Sequence, residues 1–117
     1  MTQQEASERY SIPVSVLQEY ESFGLRGLAK KAPGAWEYDD EDLERLSTIM
    51  TLHDIGFTAE EAETYMRLLL EQPDSDAKRL RMMEEKRKKT LEEIHFHEHQ
   101  LERLDYLRHE IRKNKKG

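Results

Sequence analysis

The sequence predicts a mainly α protein: an N-terminal domain of four short helices and a small β-hairpin, then a long C-terminal helix that pairs as a coiled coil. Three observations predict it. Helix start and stop signals recur at short intervals up to Pro73, and between Pro73 and Gly117 there is no glycine or proline to interrupt a helix. The 117 residues are 38% charged and 36% hydrophobic, Tyr included, where a typical globular domain is roughly 25% charged and nearly half apolar. A chain of this composition cannot bury most of its length in one core, so part of it is extended or paired.

The first helices are expected at about residues 2 to 9 and 13 to 22. Pro13 suits a first helical turn, where its missing N–H costs nothing. Gly24 stands where a left-handed C-terminal cap is needed. Two short helices meeting around Tyr10-Ser11-Ile12 have the dimensions of a helix-turn-helix. Leu25 to Leu28 and Trp36 to Tyr38 then bracket Ala29-Lys30-Lys31-Ala32-Pro33-Gly34, which reads as a hairpin with a basic tip, in the place of a wing.

Asp39-Asp40-Glu41-Asp42 supplies an N-cap and an acidic first turn, favourable at the positive end of a helix, and Leu43, Leu46, Ile49, Met50 and His53 follow at helical spacing until Gly56. Thr58 and Glu61 make a capping box for the fourth helix, whose stripe is Ala62, Tyr65, Met66, Leu69 and Leu70 and which Pro73 ends. The expected core is Val14, Leu17, Leu25, Leu43, Leu46, Ile49, Phe57, Tyr65 and Leu69. From Asp76 to Lys113 one helix of roughly 37 residues would run for roughly 55 Å. Leu80, Met83, Leu91, Ile94, Leu101, Leu104, Leu107 and Ile111 thread it at steps near 3.5 residues, with Arg87 and His97 interrupting. Such a seam seeks another helix, and self-association is the economical reading. The expected division is therefore 1 to 73 for the N-terminal domain, 74 to 113 for the dimerisation helix, and 114 to 117 for a frayed basic tail.

Charge is distributed unevenly. Residues 1 to 75 hold 6 Lys+Arg against 16 Asp+Glu, a net of -10, and the remainder holds 13 against 9, or +4, within an overall -6. The absence of cysteine removes disulfides, thiolate metal sites and thiol redox chemistry. No leader-like segment and no apolar run longer than Leu68-Leu69-Leu70 is present, so a cytoplasmic setting without membrane is expected. No phosphate loop, nucleophile elbow or triad arrangement is visible. The acidic clusters are explained by capping, so an enzyme is not expected and no cofactor is implied. His95 and His99 have a metal-binding i, i+4 spacing, but the string is H-F-H-E-H rather than H-E-x-x-H and no cysteine is present, so no metal site is expected. These histidines, and His97 in the seam, read as interface residues.

Taken in order, L-Q-E-Y-E-S-F-G-L (Leu17 to Leu25), G-A-W-E-Y (Gly34 to Tyr38), D-L-E-R-L (Asp42 to Leu46), I-G-F-T-A-E-E-A (Ile55 to Ala62) and the terminal coiled coil resemble the MerR family of bacterial transcription regulators, from about Ser7 to Ile111. The resemblance implies a winged helix-turn-helix domain, a homodimer joined by antiparallel C-terminal helices, and binding to pseudo-palindromic promoter DNA. The family's recognition run Leu-Arg-Tyr-Tyr-Glu stands here as Leu17-Gln18-Glu19-Tyr20-Glu21, and its wing Gly-Tyr-Arg as Gly34-Ala35-Trp36. Lys30 lies at the position of the family's other wing arginine. Glu19 puts an anion where the family has a hydroxyl near phosphate, so it should repel the backbone.

The candidate DNA contacts are Ser15, Gln18, Tyr20 and Ser22 on the second helix, with Arg26, Lys30 and Lys31 in the hairpin. Gln pairs with an adenine edge, while Ser, Tyr and the cations reach phosphate. The alternative for the first four is an ordinary solvated face. The candidate dimer contacts are Leu80, Met83, Leu91, Ile94, His97, Leu101, Leu104 and Ile111. The -10 charge motivates a second functional reading, a scaffold that has lost DNA binding and presents its acidic domain to a protein partner. Trp36 would then be an anchor for that partner or would pack the hairpin against the helices.

Overall fold

The computed structural model describes residues 1–25 and 35–116, which form α1 (Gln3–Tyr10), α2 (Val14–Phe23), α3 (Asp40–Asp54), α4 (Ala59–Glu71) and α5 (Asp76–Lys116). The chain divides into two compact units, Met1–Asp76 and the helix from Ala77 onward. Among the described residues there is no strand. Trp36 to Tyr38, expected as one arm of the hairpin, is irregular chain, and most of the other arm and the tip fall in 26–34, outside the described residues.

Local chemistry explains the boundaries in the first unit. Thr2 caps α1 by accepting from Glu5 N at 3.1 Å. The turn after α1 rests on Ser11, whose φ of 56° is left-handed. Ser7 holds that turn from both sides: its carbonyl accepts from Ile12 N at 3.2 Å and its hydroxyl donates to Ile12 O at 2.7 Å. Pro13 is the N-cap of α2, one position earlier than expected, and its carbonyl accepts the first helical bonds from Val16 and Leu17. Gly24 closes α2 at φ 64°, a conformation that costs glycine no Cβ clash.

Asp39 and Asp42 form a reciprocal capping box at the start of α3, as Thr58 and Glu61 do for α4. At the end of α3, Gly56 turns at φ 92°, its N–H bonding His53 O and that of Phe57 bonding Leu52 O. This is a Schellman closure, completed by two buried apolar side chains, Leu52 and Phe57.

α2 packs on α1 and α3, and α3 packs on α4. Their shared core is Ala6, Ile12, Val16, Leu17, Tyr20, Phe23, Tyr38, Leu46, Ile49, Leu52, Phe57, Ala62 and Met66. Of the expected core, Leu17, Leu46, Ile49 and Phe57 are buried, whereas Val14, Leu25, Leu43, Tyr65 and Leu69 are half-buried. Trp36 is also half-buried.

α5 spans 41 residues, about 61 Å at the helical rise. It continues to Lys116, so residues 114 to 116 are helical where a frayed tail is expected from sequence. No described helix is long and apolar enough to cross a membrane.

Candidate nucleic-acid interface

On α2, the buried residues Val16, Leu17, Tyr20 and Phe23 recur at helical spacing, which turns Ser15, Gln18 and Ser22 to the opposite side. All three are exposed, and Ser22 Oγ donates to Glu19 O at 2.7 Å. The outer face of the second helix is thus short, polar and uncharged along its centre.

Tyr20 is not part of that face. It is fully buried, and its hydroxyl donates to Asp42 Oδ1 at 2.5 Å. Burial, and then this bond to a carboxylate, push the phenol well above its ordinary value of 10.0. The expectation that Tyr20 reaches phosphate is corrected: its hydroxyl ties α2 to α3. Asp42 makes this possible because it is buried and accepts on both carboxylate oxygens. Oδ2 takes the Asp39 N–H at 3.3 Å, while the Asp42 N–H donates to Asp39 Oδ1 at 2.8 Å. An aspartate at the third position of a capping box is a local signal, but its second partner lies 22 residues away and leaves no trace in spacing.

Glu19 is corrected as well. Its side chain is only 12% exposed, and Oε2 lies 2.6 Å from His53 Nε2 on α3, so it is not a free anion on the outer face. Glu21 accepts from Tyr38 Oη at 3.1 Å. Tyr38 in turn stacks edge-on against Tyr10 at 5.6 Å and tilts toward Tyr20 at 6.1 Å. The segment entering α3 is therefore fastened to both helices of the turn motif.

Three basic residues of the first unit are described, and two of them serve the end of α2. Arg67 donates to Phe23 O at 2.7 Å and Arg45 to Leu25 O at 3.3 Å, satisfying carbonyls at the negative end of the helix. Each is also paired along its own helix, Arg45 with Glu41 and Arg67 with Glu63 and Glu71. The third, Arg9, is exposed and lies over the Tyr10 ring. Arg26, Lys30 and Lys31 fall outside the described residues.

Residues 1–69 match the family model described as MerR HTH family regulatory protein. The chain belongs to this family. No curated protein and no solved structure matches it. The MerR match covers α1 to α3 and most of α4, so the helix-turn-helix built around Tyr20 and Asp42 lies wholly inside it, while α5 lies beyond. MerR proteins of this type are regulators, and among the described residues no cluster of three or more His, Cys, Asp or Glu side chains is arranged to hold a metal.

The dimer candidates all lie on α5. Leu80, Leu91, Ile94, Leu101, Leu104 and Ile111 are exposed in the single chain, as are Phe96, Tyr106 and Leu107. Met83 is half-buried, and exposed His97 pairs Nδ1 with Gln100 Oε1 at 2.8 Å.

Proposed function

We propose that this MerR-family chain is a DNA-binding transcription regulator acting as a homodimer. It inserts α2 into the major groove of a pseudo-palindromic promoter site and sets half-site spacing through α5. The observation that carries the reading is the outward face of α2, where Gln18 is flanked by Ser15 and Ser22 on a helix locked by Tyr20 and Asp42. Gln18 suits an adenine edge and the serines suit phosphate. Arg26, Lys30 and Lys31 supply the charge for flanking phosphates. The exposed apolar stripe of α5 is the dimer seam, burying Leu80, Leu91, Ile94, Leu101, Leu104 and Ile111 against a second copy.

Fluorescent duplexes tiling the upstream region of the gene, titrated beside bulk genomic DNA at several salt concentrations, test this. Saturable binding that tightens as salt falls and prefers one fragment is expected. Replacing Lys30 and Lys31 by alanine should weaken binding to every fragment and lower the salt slope by about 0.9 for each phosphate left without its cation.

A second reading has its own support: α2 carries no basic residue in its last turn, and Arg45 and Arg67 are engaged within the fold. Under it the chain is a protein-interaction module with an acidic face. Absence of DNA binding even at low salt would select that reading.

A further inference from the structure

We propose that His53 is a positioning residue for the DNA-contacting helix: it holds a proton against Glu19, cancels that carboxylate's charge, and clamps α2 to the turn between α3 and α4. The proposal rests on the DNA-binding reading above.

The geometry counts protons. His53 Nδ1 lies 3.1 Å from the Phe57 carbonyl oxygen. A carbonyl can only accept, so Nδ1 carries a hydrogen. The other ring nitrogen lies 2.6 Å from Glu19 Oε2, a separation that two acceptors would not hold. A second proton therefore sits in that contact, and ring and carboxylate together are neutral rather than -1. Glu19 Oε1 strengthens the point, because it is buried with no hydrogen-bond partner among the described residues. A bare carboxylate in that position would be expensive, and a shared proton relieves it.

The location gives the proton a consequence. Glu19 is four residues from Ser15 and three from Ser22, so the pair lies directly beside the outward face of α2. An uncompensated negative charge there would oppose every nearby phosphate. His53 removes that charge and also fixes the helix, because one ring on α3 bonds a side chain of α2 and a backbone carbonyl in the turn between α3 and α4.

The test compares the full chain with E19Q, H53Q and E19Q/H53Q, using bulk duplex DNA at low and high salt and the preferred fragment alongside. H53Q should weaken binding about three- to tenfold at low salt and less at high salt, the size expected of one like charge left beside the DNA-contacting face. Adding E19Q should restore binding to within about twofold, because the charge that His53 masked is gone. A purely structural role predicts the opposite, a double variant as poor as H53Q or poorer, and that result overturns the proposal. So does an H53Q chain that binds as well as the unmodified one.

A readout without DNA covers the case in which H53Q fails to fold: imidazole 15N correlation spectra of the unmodified chain should show both His53 ring nitrogens protonated. A His53 ring with a bare Nε2 overturns the proposal. Absence of any DNA binding by the unmodified chain would instead remove the functional reading beneath it, and the ring spectrum would still decide whether the proton is there.

Discussion

Tyr20 and Leu101 mark the difference between the two units of this chain. Tyr20 is wholly buried, with its hydroxyl bonded to a buried aspartate, whereas Leu101, on α5, is 59% exposed. The contrast holds across each unit. The described residues of 1–76 bury 13 apolar side chains and fasten their helix ends with capping boxes, a Schellman closure and two arginine contacts. α5 leaves most of its large apolar residues exposed over 41 residues. The first unit draws its stability from within, and under the homodimer proposed above the second draws its own from association. In the homodimer proposed above, the surface that reads DNA belongs to one unit and the element that sets how many copies read it to the other.

The largest effect that could break this contrast comes from the proposed seam. Replacing Ile94 and Leu101 by aspartate removes two side chains, each worth about 2 kcal/mol of burial, from both copies. The dimer should weaken more than about a thousandfold in sedimentation. Residues 1–76 should keep their fold, seen as unchanged amide protection.

Asp42→Ala is the counterpart in the first unit. It opens the capping box and removes the Asp42 acceptor from the Tyr20 hydroxyl, and should cost about 3 kcal/mol in denaturant unfolding while leaving the sedimenting mass unchanged. The same contact sets a pH dependence. The native phenol is held above its ordinary value, so its contribution is complete below about pH 10 and is lost as pH rises beyond, where the unfolded chain ionises first. Ultraviolet titration should therefore show one tyrosine ionising only as the domain unfolds. The smallest effect is at Arg67, where alanine leaves Phe23 O without its donor and should cost about 1 kcal/mol.

The parts of the fold legible in the sequence are those written in neighbouring residues. Thr58 with Glu61, an acidic cap within Asp39 to Asp42, Gly24 and Gly56 at helix ends, and the uninterrupted run after Pro73 each act within a few positions, and each is found where expected. The site is legible only in outline. Ser15, Gln18 and Ser22 do face outward, but Tyr20 reads from sequence as a phosphate contact because nothing in its own helix announces a carboxylate 22 residues on. Glu19 and His53 are 34 residues apart, so the pairing that removes Glu19 from the outer face arises only when α2 packs on α3. Arg67, 44 residues from the carbonyl it holds, is hidden for the same reason.

Sedimentation of the unmodified chain over a wide concentration range, with helicity followed in parallel, decides whether residues 1–76 are complete in themselves and α5 is half of the proposed interface. A species of about twice the 14.0 kDa chain mass is expected, with dissociation on dilution accompanied by loss of α5 helix. A 14.0 kDa monomer that keeps α5 helical at every concentration would contradict it.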